Sequence, residues 1–64
     1  MYLSKLSRNG RRVYFRQIRR SGETFYRWTN RAVNATRFEY AYEAVGMIRR
    51  IRFREGDGVG VVLG

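Results

Sequence analysis

Two dipeptides, Asn9-Gly10 and Ser21-Gly22, constrain this chain more than any other feature, because each interrupts stretches that alternate apolar and polar residues. Asn-Gly tolerates the positive φ angles of a type I′ turn, so "RNGR" (Arg8 to Arg11) predicts a two-residue hairpin loop, and Ser21-Gly22 predicts a second. The strands bounded in this way run from Tyr2 to Ser7, from about Arg11 to Arg20 and from Glu23 to Thr29. The last is dense in aromatic and β-branched residues, which suit a pleated surface. The pattern is a three-stranded antiparallel meander.

With two-residue loops the register follows by counting, since successive side chains take opposite faces. One face collects Tyr2, Ser4, Leu6, Val13, Phe15, Gln17, Arg19, Thr24, Tyr26 and Trp28. Its Leu6, Val13, Phe15 and Trp28 end has the apolar content of a core. The other face carries Leu3, Glu23 and Thr29 and interleaves five cations, Lys5, Arg12, Arg16, Arg20 and Arg27, with Tyr14, Ile18 and Phe25. Arg16 and Arg27 stand opposite each other on this second face.

Beyond Thr29 the period changes. Ala41, Ala44, Val45, Ile48 and Ile51 recur at the three-and-four spacing of an apolar helical stripe, which predicts a helix from about Glu39 to Phe53 that covers the apolar sheet face. Arg49, Arg50, Arg52 and Arg54 gather in its last turns, where the helix dipole favours cations. They form a secondary basic patch, explained first as a solvated helix end. Gly56 and Gly58 break the helix, and Val59 to Leu63 reads as a short apolar strand returning to the sheet. The expected fold is α+β: a small antiparallel sheet of three to four strands (βββαβ) with one helix packed on one face, residues 1–64 forming a single compact domain.

Composition removes most chemistry. The 64 residues include neither cysteine nor histidine, so disulfides, zinc centres and nucleophiles that rely on a Cys or His are excluded. Packing alone must hold the fold, at a chain length that buries only about 60% of its unfolded surface. No apolar run approaches the roughly 20 residues of a membrane span, and the N-terminus lacks the apolar run of a signal peptide. A cytoplasmic protein is the expectation. Glu39 and Glu43 share a helix face, but acids in a first helical turn are explained by the dipole. "GDGVGVVLG" has no following helix and no lysine, as a phosphate loop requires. "EGDG" is too short of oxygen ligands for a calcium loop. No enzyme, metal or cofactor is expected.

Charge points to the partner. The net charge is +9, from thirteen arginines and one lysine against five carboxylates. Such an excess repels itself, and an acidic partner relieves it. The preference for Arg over Lys fits bidentate gripping of phosphate or carboxylate. GC-rich coding accounts for it equally well.

The arrangement Trp28-Thr29, five residues, Ala35, two residues, Phe38, four residues, then Glu43-Ala44, preceded by "YxxKL" from Tyr2 to Leu6, resembles a pattern of small, mostly uncharacterised phage and bacterial proteins. The resemblance covers nearly the whole chain and rests on packing positions, with Trp28, Ala35 and Phe38 locking the strand-to-helix loop onto the core. It implies the fold, a phage or mobile-element origin and hence the cytoplasm of a host cell, and it assigns no activity. Glu39-Tyr40 stands where the pattern has a Ser, Thr or Asp helix cap, and this chain is the more basic.

Two functions are then expected. In the first, a binding module attaches to nucleic acid or a nucleoprotein through Lys5, Arg12, Tyr14, Arg16, Arg20, Phe25 and Arg27, the cations neutralising phosphates while Tyr14 and Phe25 offer rings to bases. In the second, the chain inhibits a host nucleic-acid-processing or defence complex, as an anti-CRISPR protein or a polymerase inhibitor does, by capping an acidic surface of a host protein. No membrane is expected as a partner in either case, and the chain itself is expected to be a monomer or a weak homodimer.

Overall fold

Alternation and turn chemistry do produce three consecutive strands. In the computed structural model, which describes residues 1–55 and 58–63, β1 (Tyr2–Leu6), β2 (Arg12–Arg20) and β3 (Glu23–Thr29) are followed by a single 3-10 turn (Ala32–Asn34), α1 (Ala41–Glu55) and β4 (Gly60–Val62). The four strands form one sheet in the order β3-β2-β1-β4, each neighbouring pair antiparallel. This is the expected α+β plan, with the last strand beside β1.

The second turn behaves as its sequence predicts. Ser21 (φ 50) and Gly22 (φ 78) both take positive φ, as a type I′ loop requires. The register is therefore the one obtained by counting, with Phe15 opposite Trp28, Arg16 opposite Arg27 and Ile18 opposite Phe25.

The first turn does not. Gly10 takes positive φ (79) whereas Asn9 does not. Arg8, Asn9 and Gly10 form a three-residue loop, closed by Gly10 N–H donating to the Ser7 carbonyl at 2.9 Å and Ser7 N–H to the Arg11 carbonyl at 2.7 Å. The Asn9 side chain explains the choice. Its Oδ1 accepts from the Arg11 N–H at 3.1 Å and from the Ser7 hydroxyl, an Asx-type closure in which the left-handed position falls to Gly10 alone.

One extra loop residue moves β1 by one position, so that Ser4 faces Tyr14, Lys5 faces Val13 and Leu6 faces Arg12. Every β1 side chain thereby changes face. Leu3, expected opposite the core, is fully buried in it. Leu6, expected in the core, is 60% exposed.

The core joins Leu3 and Phe15 to Phe38, Ala44, Ile51 and Val59, with Tyr26, Trp28, Met47 and Ile48 partly buried around them. Phe15 is its hub, with ring centroids 5.5 Å from Tyr26, 6.0 Å from Trp28 and 6.1 Å from Phe38. α1 starts two residues later than its periodicity predicts. Tyr40 precedes its first turn and accepts the Ala44 N–H, and the Glu43 carboxylate accepts the Tyr40 N–H at 3.3 Å. Glu43 thus completes half of a capping box where no Ser or Thr is available. The buried stripe is Ala44, Met47, Ile48 and Ile51, while Ala41 and Val45 are exposed. β4 is shorter than expected, because Val59 leaves the sheet for the core. Gly56, expected to end the helix, lies outside the described residues, as do Asp57 of "EGDG" and Gly64.

The path from β3 to α1 shapes the face away from the helix. Beyond the 3-10 turn, the Thr36 N–H donates to the Phe15 carbonyl and the Phe38 N–H to the Met1 carbonyl. The Thr36 hydroxyl accepts the Gln17 N–H at 2.7 Å. The chain thus passes from the β3 edge to the β1 side of β2. It crosses on the face that carries Arg16, whose guanidinium donates to the Asn34 carbonyl at 3.3 Å. Ser4, on that face, is only 2% exposed and accepts from the Arg12 guanidinium, and Ala35 of the crossing segment is buried.

Candidate functional site

β2 and β3 place Arg12, Tyr14, Arg16, Ile18 and Arg20 on the face away from the helix, with Phe25 and Arg27 across from Ile18 and Arg16. Alternation puts them there. The crossing segment then divides them, so they do not form the continuous surface the sequence predicts.

On one side of the crossing lie Arg12 and Tyr14. The Arg12 guanidinium donates to Ser4 Oγ at 3.2 Å, and Ser4 Oγ in turn donates to the Val13 carbonyl at 2.9 Å. Tyr14 is half-buried, its ring meeting the edge of Tyr2 with centroids 5.6 Å apart. Arg37 covers Tyr2 at 4.7 Å from the ring centroid. Tyr14, expected to offer a ring to a base, is therefore engaged within the protein.

On the other side, Arg16, Arg20 and Arg27 surround a depression of about 310 Å³, lined also by Ile18, Thr29 and Asn34. Phe25, 51% exposed, stands directly across from Ile18. Glu23 is the only carboxylate in β2 and β3 and sits at the hairpin tip, opposite Arg20. Three guanidiniums on one short stretch of sheet repel one another, since like charges across strands are destabilising. The Asn34 carbonyl relieves this in part by accepting from Arg16.

Lys5 is the residue the structure moves away. The one-residue shift of β1 carries it to the helix face, where its ammonium lies 4.4 Å from the centroid of the Trp28 ring, a cation–π geometry. Of the secondary patch, Arg49, Arg50 and Arg52 are exposed on α1. Arg50 lines a cleft of about 250 Å³ between α1 and the hairpin, together with Gln17, Thr24, Tyr26 and Met47 above the buried Phe15 and Ile51, and bordered by Phe25. Arg54 falls within α1, and its side chain is outside the described residues.

Thr29 and Asn34 were missing from the expected site. Counting strand positions places Thr29 on the face. Nothing in the sequence signals Asn34, which arrives through a loop with no period. Among the described residues, no group of His, Cys, Asp or Glu side chains could hold a metal ion, and no helix is long and apolar enough to cross a membrane. No family model, curated protein or solved structure matches the chain.

Proposed function

We propose that this chain is a non-enzymatic binding module that attaches to nucleic acid, free or within a nucleoprotein, through the β2–β3 face opposite the helix. One observation carries the reading. Arg16, Arg20 and Arg27 converge on a single depression floored by Ile18, beside the half-exposed ring of Phe25, on a chain of net charge +9.

The physics favours a polyanion. Guanidiniums crowded on a sheet repel one another, and bound phosphates remove that repulsion while releasing condensed counterions. Each guanidinium presents a planar fork that matches phosphate oxygens. A ring at the edge of such a cluster adds stacking, which every base can accept.

The test is a salt titration of oligonucleotide binding by wild type and by the double variant Arg16→Gln, Arg27→Gln. Glutamine keeps a polar hydrogen-bonding group on a shorter stem while removing both charges. The variant should fold about as well as wild type, because relief of a like-charge pair across strands, a few tenths to about 1 kcal/mol, offsets the lost hydrogen bond from Arg16 to the Asn34 carbonyl. Its affinity should fall sharply, and the slope of log K against log salt should shrink by roughly 1.4 to 1.8. A double variant that binds as tightly as wild type, with an unchanged slope, overturns the reading. A partner captured from lysate that survives nuclease treatment assigns the face to an acidic protein surface instead.

A further inference from the structure

Resting on that reading, we infer that the nucleic acid is single-stranded and that it runs over the β3 edge, from the arginine depression past Phe25 to Arg50 on the helix side of the sheet. Phe25 joins the two regions. It lies across from Ile18, which floors the depression, and it borders the cleft that Arg50 lines. Among the described residues no strand pairs with the outer side of β3, which ends the strand order.

The other exits are less favourable. Toward β1, the crossing segment stands over the face, and Asn34 forms that wall of the depression. Toward the hairpin tip, a strand meets the Glu23 carboxylate, which repels phosphate. Over β3 it meets an exposed ring, then a cleft of about 250 Å³ in which Gln17, Thr24, Tyr26, Met47 and the Arg50 guanidinium line the opening above the buried Phe15 and Ile51. A slot that offers an aromatic ring, a thioether and amide and hydroxyl groups beside a cation accepts a base and its phosphate together.

Passing round a strand edge also selects the form of the polymer. Duplex DNA is stiff over about 150 base pairs and keeps its bases stacked inside. It cannot bend round a single β-strand or offer a base to Phe25. An unpaired strand does both, whether DNA or RNA.

The experiment compares DNA and RNA oligonucleotides of about 12 nucleotides, single-stranded and as matched duplexes, by fluorescence anisotropy at several salt concentrations. Single strands should bind at least about tenfold more tightly than duplexes. Phe25→Leu should weaken single-strand binding about fivefold or more while Phe25→Tyr retains it, since only the latter keeps a stacking ring. Arg50→Gln should reduce the single-strand salt slope by about 0.7 and leave duplex binding unchanged. Denaturant midpoints check that each variant is folded. Equal affinity for both forms, with Phe25→Leu and Arg50→Gln silent, overturns the wrapped path and leaves the arginine face as the site. Failure of every oligonucleotide to bind overturns both. A preference between the DNA and RNA single strands identifies which of them the track accepts.

Discussion

At the scale of residues, the two turns show how little separates a correct register from a shifted one. Ser21 holds φ 50 without the freedom of glycine, and Asn tolerates the left-handed region better than Ser. Ser21→Asn should therefore raise the urea midpoint by the equivalent of about 0.5 kcal/mol, with the register unchanged. Phe15 and Trp28 differ in a way their identities do not reveal. Phe15 is fully buried among three rings, whereas Trp28 is only partly buried at the rim under Lys5. Phe15→Ala should cost about 3–5 kcal/mol and unfold a domain of this size. Trp28→Ala should cost clearly less, since its indole is never fully withdrawn from water. Equal losses in chemical denaturation would show that Phe15 is not the hub. Burial at Phe15 was legible from alternation; the rank order of the two was not, because it depends on where α1 ends its coverage of the sheet.

At the scale of elements, α1 depends on Glu43. Its carboxylate caps Tyr40 N–H and sits in the positively polarised first turn. Glu43→Ala should lower stability by about 0.5–1 kcal/mol, and Glu43→Gln, which keeps the acceptor and loses the charge, should fall between. Circular dichroism during urea unfolding measures both. The helix period was legible in the sequence, but its phase was read one step off. Val45 was placed inward and Met47 was passed over, although the structure half-buries Met47 against the core and exposes Val45. Periodicity defines a stripe only to within the width of a neighbouring position, and contact with Phe15 and Leu3 decides which edge of the stripe faces the sheet.

For the whole molecule, charge is the dominant liability. A net charge of +9 on 64 residues means that folding brings cations together, and screening should reduce the cost. Raising ionic strength from low to moderate should increase stability by about 1 kcal/mol, equivalent to a rise of about 4–8 °C in melting temperature. A polyphosphate should stabilise more than a monovalent salt at equal ionic strength, because it binds the folded face as well as screening it. A melting temperature independent of salt would show that the arginines are too well separated to interact. The direction of this effect follows from composition, whereas its focus on Arg16, Arg20 and Arg27 follows from the register of β2 with β3.

What the sequence determined by itself was everything set by local periodicity and composition: three strands and a helix, the β2–β3 register, the pairing of Arg16 with Arg27, and the lack of cysteine and histidine chemistry. A two-residue turn leaves counting no freedom, so one face of β2–β3 could be named residue by residue. The structure decided the rest through two events outside the periodic pattern, one local in the chain and one long-range. The Asn9 side chain closed a three-residue loop and turned β1 over, which moved Lys5 to Trp28 and buried Leu3. The segment after β3 crossed β2 and anchored on the Phe15 carbonyl and Arg16, which divided the basic face and left Phe25 as its exposed ring. Both turn on hydrogen bonds that single groups make outside any repeating pattern, and no period in a sequence can encode such bonds.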